Sequence, residues 1–480
     1  MHIPVVPPDL SSILHSPNLK WLSRLSDSDV GGFVRRSNDE YVHWDKLRYY
    51  QRLPDGFDIQ SSWAAIAMSR IPQYQTLPIR FDDSTLVYWS PPQQLEWLHK
   101  IDQQAGGTLG SNSIYMGSNS DDKERYLINA LMEEAIASSQ LEGAVTTRRI
   151  AKQMLREGRK PRSKAERMIL NNYNAILKIR DCQYNKLTPA LLKELQAILT
   201  ADTLDDSSGE GHFRTSEDSV VVEDSYTHDV LHNPPPADVI EDRIEEICNF
   251  ANQKSKPFVH PVTKAIILHF ALGYVHPFVD GNGRTARAVF YWYMLKQNYW
   301  LFEFLPISRL FFRAPARYAR AYLYTENDRG DVTYFIYYNL RVIVRAIKEL
   351  YEYLVKQQEK ISEAAKLLRS NPNLNHRQQA LIYHAMKHPE FVYTIQQHRR
   401  THHVSYGTAH SDLVDLSKVG YLEASRQGNK IVFQPHGELL RKLKKLSASI
   451  LRPLPRARTR VRPVAITRAG TRPTAISGDS

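Results

Sequence analysis

Apolar residues recur at helical spacing through most of the chain, and two runs are apolar almost without interruption: Ala265 to Tyr274 and Ala286 to Leu295. Runs of that length and density predict two buried helices, with the residues between them forming a loop. Around this pair the pattern predicts amphipathic helices over Asp121–Gln140, Thr146–Arg156, Ala165–Arg180, Pro189–Leu199, Ala237–Ala251, Arg317–Tyr324, Asp331–Leu340 and Val342–Leu368. The first has apolar residues at Leu127, Leu131 and Ile136, opens on Ser-Asp-Asp and closes before Gly143, a C-terminal stop. Helical periodicity breaks at Ser207–Gly211. His212–Thr215 with Ser219–Val222, and Val230–His232, then read as a short hairpin ended by Asn233 and three prolines. The predicted class is mainly α, with one short β-hairpin in the main domain.

The ends read differently. Residues 1–40 hold scattered Pro, Ser and Asp with little periodicity and are expected to be loosely ordered. Residues 41–115 predict a small helical module, with helices near Ser61–Ser69 and Pro92–Gln103. A main domain over 116–370 follows. Residues 374–436 form a separate unit of three helices, Arg377–Lys387, Thr394–Arg400 and Ser405–Lys418. Two strands, Gly420–Glu423 and Lys430–Phe433, follow around the turn Arg426–Asn429. This order resembles a winged helix-turn-helix. Such units contact DNA, other proteins or a second copy of themselves, so DNA and a homodimer both stay open.

Composition narrows the setting. The 480 residues carry a net charge of +12, and residues 447–480 supply +6 of it through seven arginines against Asp479. That tail is expected to be disordered, and the rest of the chain is only mildly basic. Cys182 and Cys248 are the only cysteines, too few for a disulfide framework or a Cys-rich zinc site. No secretory leader pattern opens the chain, and no run reaches the roughly 18 apolar residues of a membrane span. A soluble protein of the reducing cytoplasm, without a membrane partner, is expected.

The loop between the two apolar runs concentrates chemistry: His276-Pro-Phe-Val-Asp280-Gly281-Asn282-Gly283-Arg284-Thr-Ala-Arg287. Gly281 and Gly283 let backbone N–H groups around Asn282 converge on an anion at the start of the following helix. Arg284 and Arg287, three apart, place two guanidinium groups near that start, against the helix dipole, as if an anionic ligand supplies the compensation. Asp280 is a hard oxygen donor suited to Mg²⁺ beside phosphates. His276 can take a proton from a hydroxyl near neutral pH. The residues themselves describe a nucleotide-phosphate site with a base.

The stretch resembles the signature of the Fic (filamentation induced by cAMP) family, H-P-F-x-D/E-G-N-G-R-x-x-R, and matches every fixed position. The resemblance implies transfer of AMP from ATP to a Ser, Thr or Tyr hydroxyl of a target protein. It implies His276 as general base, Phe278 as loop anchor, Asp280 as Mg²⁺ ligand, and Gly281, Asn282 and Gly283 as the anion hole. Arg284 and Arg287 would hold the β and γ phosphates, with Tyr318 and Asn327 at adenine and ribose. Ser138 to Gly143 resembles the family's inhibitory-helix pattern S/T-x-x-x-E-G/N, which implies an inhibitory helix at about 121–143 and a repressed enzyme in which Glu142 pairs with Arg287. The hairpin, with Val220, Val221 and Val222, would be a flap that docks the target by strand addition. Two other readings remain: removal of AMP through the same Glu142, and a DNA-binding regulator whose Fic domain senses nucleotide.

Overall fold

The computed structural model describes residues 2–16, 19–106, 120–224, 227–369, 371, 373–389, 391–427 and 430–450, of which 120–122, 125, 427, 430 and 445–450 are described by their backbone alone. The chain divides into two units, Met1–Val355 and Lys356–Ser480, and the division falls inside one long helix, Thr333–Arg369. The sequence predicted two helices over that span and a boundary after 370. No helix among the described residues is long and apolar enough to cross a membrane.

The first unit is built on the two apolar runs. They form the helices Pro261–Val275 and Asn282–Lys296, each buried along nearly its whole length, with Phe270 and Trp292 at the centre of the core. A helix this uniformly apolar needs cover on every side. The helices Ser120–Leu141, Lys164–Asp181, Pro189–Thr200, Ile240–Asn252, Pro315–Asn327 and the start of Thr333–Arg369 belong to the same unit and contribute to its core, as expected of a mainly α domain. The short hairpin pairs Val222 with His232 and Glu223 with Val230. Its first strand is Val222–Glu223, so it starts later than the expected Ser219, and Val220 and Val221 precede it.

The N-terminal region departs most from expectation. Residues 1–40 are not loosely ordered: Leu10–Leu14 and Ser28–Asp39 are helices, and Ile13, Trp21, Val30 and Phe33 are buried with Trp44 and Trp63. Apolar residues so far apart give no periodic signal, yet three-dimensional packing gathers them with the helix Ile59–Arg70. Nor do residues 41–115 form one small helical module. Gln75–Phe81 and Ser84–Tyr88 are an antiparallel hairpin, and Leu77, Ile79 and Leu86 join the main core, as does Ile101 of the helix Pro92–Ala105. The alternation of Leu77, Ile79 and Phe81 with Pro78 and Arg80 was the strand signal.

A buried polar network ties this region to the core. Arg70 donates to Asn38 Oδ1 (2.8 Å), Tyr334 OH (2.8 Å) and the Val42 carbonyl (3.0 Å), and its guanidinium lies 4.1 Å from the centre of the Tyr41 ring. Tyr334 passes its own proton to Asp328 (2.7 Å), while Tyr41 and Tyr74 donate to Asp331 (2.5 and 2.9 Å). Burial raises the pKa of both aspartates, Asp328 to about 6.

The second unit has the three expected helices, His376–Lys387, Ile395–His402 and Tyr406–Lys418. Its sheet has three strands, in the order Tyr393–Thr394, Lys430–Pro435, Leu422–Gln427, all antiparallel. The core adds Leu368 before the expected start at 374, and Leu439 and Leu443 after 436, on a further helix, Leu439–Ile450. That helix takes in 447–450, which were expected to begin a disordered tail; the remainder, 451–480, lies outside the described residues.

Arg70→Met should cost about 3 kcal/mol, because it removes the cation from a buried network that keeps two carboxyl groups. Urea unfolding of the full chain checks this; a loss under 1 kcal/mol would show the network to be dispensable.

Candidate active site

The site begins where the helix Pro261–Val275 stops. His276 caps it in the left-handed conformation (φ 49°, ψ 58°), its N–H bonded to the Leu272 carbonyl at 3.1 Å. A non-glycine residue there is strained unless its surroundings hold it. Arg214 holds it: the side chain donates to the carbonyls of His276 (2.9 Å) and Val275 (3.5 Å) and also to Pro235, while its backbone N–H meets the Pro277 carbonyl at 2.9 Å. His276 Nδ1 lies 3.1 Å from the Gly273 carbonyl, so Nδ1 carries the proton and Nε2 is left with a lone pair. Burial is the main cause that lowers the His276 pKa to about 4, opposed by the Gly273 bond and by Glu142, and reinforced by His232 and Arg214.

The next residues build the turn. Phe278 is fully buried beside Phe213, with ring centres 5.3 Å apart, as the anchor role requires. Asn282 turns back to bond both the N–H (2.9 Å) and the carbonyl (2.7 Å) of Phe278, closing the loop on itself. Gly281 has φ 83°, and a Cβ there would lie 2.9 Å from the Thr200 methyl, so conformation and space both require glycine. Gln196 fixes the loop from outside, donating to the Asp280 carbonyl (3.1 Å) and accepting from the Gly211 N–H (2.6 Å).

The helix Asn282–Lys296 starts with no side-chain cap, which leaves its first N–H groups open to an anion. Glu142 stands there. A Cβ on Gly283 would overlap Glu142 Oε1 and lie 3.1 Å from Arg287 NH1, so the glutamate carboxylate rests directly on this first turn. Arg287 donates from NH2 to Glu142 Oε1 at 2.9 Å and to the Ser138 carbonyl at 3.0 Å, and from Nε to Ser138 Oγ at 2.9 Å. Its side chain is 3% exposed, that of Glu142 30%. Burial works against the arginine charge, but Glu142 and other anionic partners more than offset it and raise the pKa.

The other expected residues fall into place less evenly. Arg284 is as buried as Arg287, but it donates to the Leu199 carbonyl (2.9 Å) and to Asp280 Oδ2 (3.1 Å). In this state it braces the loop. Asp280 is half exposed, and its Oδ1 accepts from the Gly281 N–H at 2.5 Å. A half-exposed carboxylate beside an anion cradle has the donor chemistry of Mg²⁺ sites, where one or two carboxylates act together with substrate phosphates, although Arg284 and the Gly281 N–H engage its oxygens in this state. Among the described residues no cluster of three or more potential metal ligands exists. Tyr318 donates or accepts at His269 Nε2 (2.8 Å) and stacks on Phe311 at 4.4 Å, within electrostatic reach of Arg287. Asn327 commits one amide hydrogen to the Pro4 carbonyl at 3.0 Å, a partner the sequence did not suggest. Val222 pairs with His232 in the hairpin; Val220 and Val221 lie before it, and Val221 is exposed.

Arg214, Gln196 and His232 were missed. Each meets a loop or helix-end carbonyl 40 or more positions away, and nothing in the local pattern marks a side chain whose partner is a distant carbonyl.

Residues 186–294 match the sequence model of the Fic/DOC family. Over 56 residues the chain is 39% identical to Protein adenylyltransferase Fic of Nematostella vectensis, a stretch that makes up 12% of this chain and 13% of that protein. Over 66 residues it is 33% identical to Protein adenylyltransferase fic-1 of Caenorhabditis elegans, covering 14% and 13%. The matched stretch thus spans about an eighth of the length of these curated relatives. A solved Fic family protein from Desulfovibrio desulfuricans G20 aligns at 15% identity and a TM-score of 0.46, over 72% of this chain and 94% of that one. The matched segment contains the whole loop from His276 to Arg287 and most of the buried helices on either side, so over residues 186–294 the chain carries a segment of the Fic/DOC type.

Proposed function

We propose that the chain is a protein adenylyltransferase whose resting state is blocked by Glu142. The observation that carries this reading is the anion already seated at the start of the motif helix: Glu142 lies on Gly283 and bonds Arg287 at 2.9 Å, where the terminal phosphate of ATP would find the same donors. Asp280 would hold Mg²⁺, which supplies charge neutralisation to the phosphates when bound. A target Ser, Thr or Tyr hydroxyl would be laid along the unpaired edge of Val222–Glu223, the two-stranded hairpin having no further strand neighbour among the described residues. His276 Nε2 takes the hydroxyl proton, the oxygen forms a bond to the α-phosphorus, and the bond from that phosphorus to the bridging oxygen breaks. The electron pair leaves with pyrophosphate, held by Arg287 and the first N–H groups of the helix.

While Glu142 holds Arg287, ATP has to bind without its γ-phosphate partner, in a pose unsuited to in-line attack. Misplacement on that scale costs on the order of 10²-fold in rate. With labelled ATP, Glu142→Gly should therefore incorporate roughly 10²-fold more label than wild type, and Glu142→Gly combined with His276→Ala none. Equal labelling by wild type and Glu142→Gly would sink the inhibitory role; labelling that survives His276→Ala would sink the base.

The His276 pKa gives a second test. With its folded value near 4 and not 6.5, the base is neutral from pH 8 down to about 5. For the Glu142→Gly variant, kcat/KM should stay level across that window and fall only below about pH 4.5. A fall centred near 6.5 would mean that burial does not lower the pKa of this histidine.

A separate reading concerns Lys356–Ser480. The helices Ile395–His402 and Tyr406–Lys418 meet through His403 (φ 50°), with Ser405 capping the second at the Thr408 N–H, 3.1 Å. The exposed residues at this corner include Arg399, Arg400, His403, Tyr406 and His410, and the exposed carboxylate on the same helix, Asp415, lies one turn further on and accepts from Ser411 Oγ at 3.1 Å. We propose that this face binds duplex DNA. With the seven tail arginines replaced by glutamine, Arg399→Ala/Arg400→Ala should weaken binding to a random-sequence duplex by roughly tenfold at low salt; unchanged binding would remove the reading.

A further inference from the structure

A helix leaves its last carbonyls without partners inside the helix. At the end of Pro261–Val275 each is met from outside. Leu272 receives the His276 N–H, Gly273 receives His276 Nδ1–H, Val275 and His276 receive Arg214, and Pro277 receives the Arg214 N–H. The remaining carbonyl, Tyr274, lies 2.7 Å from His232 Nε2. His232 belongs to the returning strand of the hairpin, Val230–His232, and is buried. Its other nitrogen, Nδ1, lies 2.9 Å from Glu326 Oε2 on the helix Pro315–Asn327.

Both ring nitrogens of His232 thus face oxygens that only accept. A neutral imidazole has one N–H and would set a lone pair against one of them, whereas an imidazolium satisfies both. Burial opposes that charge, but the Glu326 carboxylate, the Tyr274 carbonyl and Asp82 outweigh it, so the His232 pKa is raised. Asp82, at the turn between strands Gln75–Phe81 and Ser84–Tyr88, is itself fixed by the Tyr274 hydroxyl at 2.5 Å. On the other side stand His276, whose charged form His232 disfavours, and Arg214, which disfavours it too. Glu142 pulls the other way.

We propose that His232 is a positioning residue held as a buried imidazolium, which ties the hairpin to the end of the base-bearing helix through Glu326 and Tyr274 and repels a second positive charge at His276. The two histidines then have opposite roles set by their surroundings: one protonated as a structural bridge, the other neutral and free to accept a proton. Because the folded pKa of His232 is raised, its contribution is complete below the unfolded value of 6.5 and is lost as pH rises through the folded one. Above that point the hairpin loses one of its two anchors at this position. The consequence for catalysis rests on the adenylyltransferase reading; the bridge itself does not.

The test is a pH titration of the histidine side chains of the full chain, labelled with ¹⁵N at the imidazoles and read by NMR, with His232→Gln and Glu326→Gln alongside. The expected wild-type result at pH 7 is two N–H signals for His232 and a single, Nδ1-protonated form for His276. In His232→Gln the His276 midpoint should rise by roughly half a unit or more, since a neighbouring like charge has gone. Glu326→Gln should lower the midpoint of His232 itself by a similar amount or more, and it carries the test if His232→Gln does not fold. A neutral His232 at pH 7 in the wild type, or midpoints that stay put in the variants, overturns the proposal. None of these signals depends on AMP transfer, so an inactive wild type with the expected titrations would reject the activity and leave the bridge standing.

Discussion

A guanidinium with almost no access to water needs anionic company, and Arg287 sets that condition for the whole site. It lies inside the crowded bundle, on the first turns of a helix whose dipole already disfavours a cation. Leaving such a charge unpaired costs several kcal/mol. Ser138 supplies two acceptors and Glu142 the negative charge. The ion pair is therefore more than a latch laid over a finished site. It completes the electrostatics of a helix start that nothing else within reach caps, and any ligand that displaces Glu142 must bring a negative charge of its own.

The geometry around that cation is fixed by two left-handed residues, His276 and Gly281, which bracket the loop. Gly281 adopts the conformation without strain; His276 does so because Arg214 and its own ring hold the backbone from both sides. The same contacts fix the tautomer that leaves Nε2 free. Conformation, tautomer and the low pKa of the base are thus one arrangement, in which acceptors that the helix end cannot satisfy are capped by side chains from the hairpin region. The hairpin itself takes part, since His232 on its returning strand meets the Tyr274 carbonyl at 2.7 Å.

How much of this was legible in the sequence depended on the range of each interaction. His276 to Arg287 could be read because they lie within one twelve-residue stretch and glycine spacing reports backbone conformation directly. Glu142 could be read as the end of an amphipathic helix, and only the family likeness connected it with an arginine 145 positions away. Arg214 and His232 could not be read, since each was an ordinary polar residue until the fold placed a carbonyl opposite it. The N-terminal region failed for a related reason: Ile13, Trp21 and Val30 are too sparse to carry a period, yet they are buried with Trp63 in one cluster. Arg284 shows the limit of reading roles from residue type. The motif offers two arginines on one helix start, and the structure uses one to meet an anion and the other to brace the loop against Leu199 and Asp280.

That division bears on how Glu142 can leave Arg287. Glu142 lies one residue beyond the last helical residue, Leu141, and Gly143 follows in the left-handed conformation with open space where a Cβ would be. Its backbone is held by turn bonds, from the N–H groups of Glu142 and Ala144 to the Ser139 carbonyl (3.1 and 3.0 Å) and from Gly143 N–H to Gln140 (3.1 Å). Ser139, in contrast, is anchored to the helix Lys164–Asp181 through the Met168 carbonyl and Asn172. Gln140 adds a bond to the Thr146 carbonyl at 3.0 Å and Leu141 packs on the main core, so the hydrogen bonds to the helix Lys164–Asp181 lie three residues before the Glu142 carboxylate. Rotation of one partly exposed side chain, with fraying of one turn, would release Arg287 while Ser138 keeps it in place. Competition between carboxylate and phosphate then requires no rearrangement of the bundle, because the cation they share stays where the helix has put it.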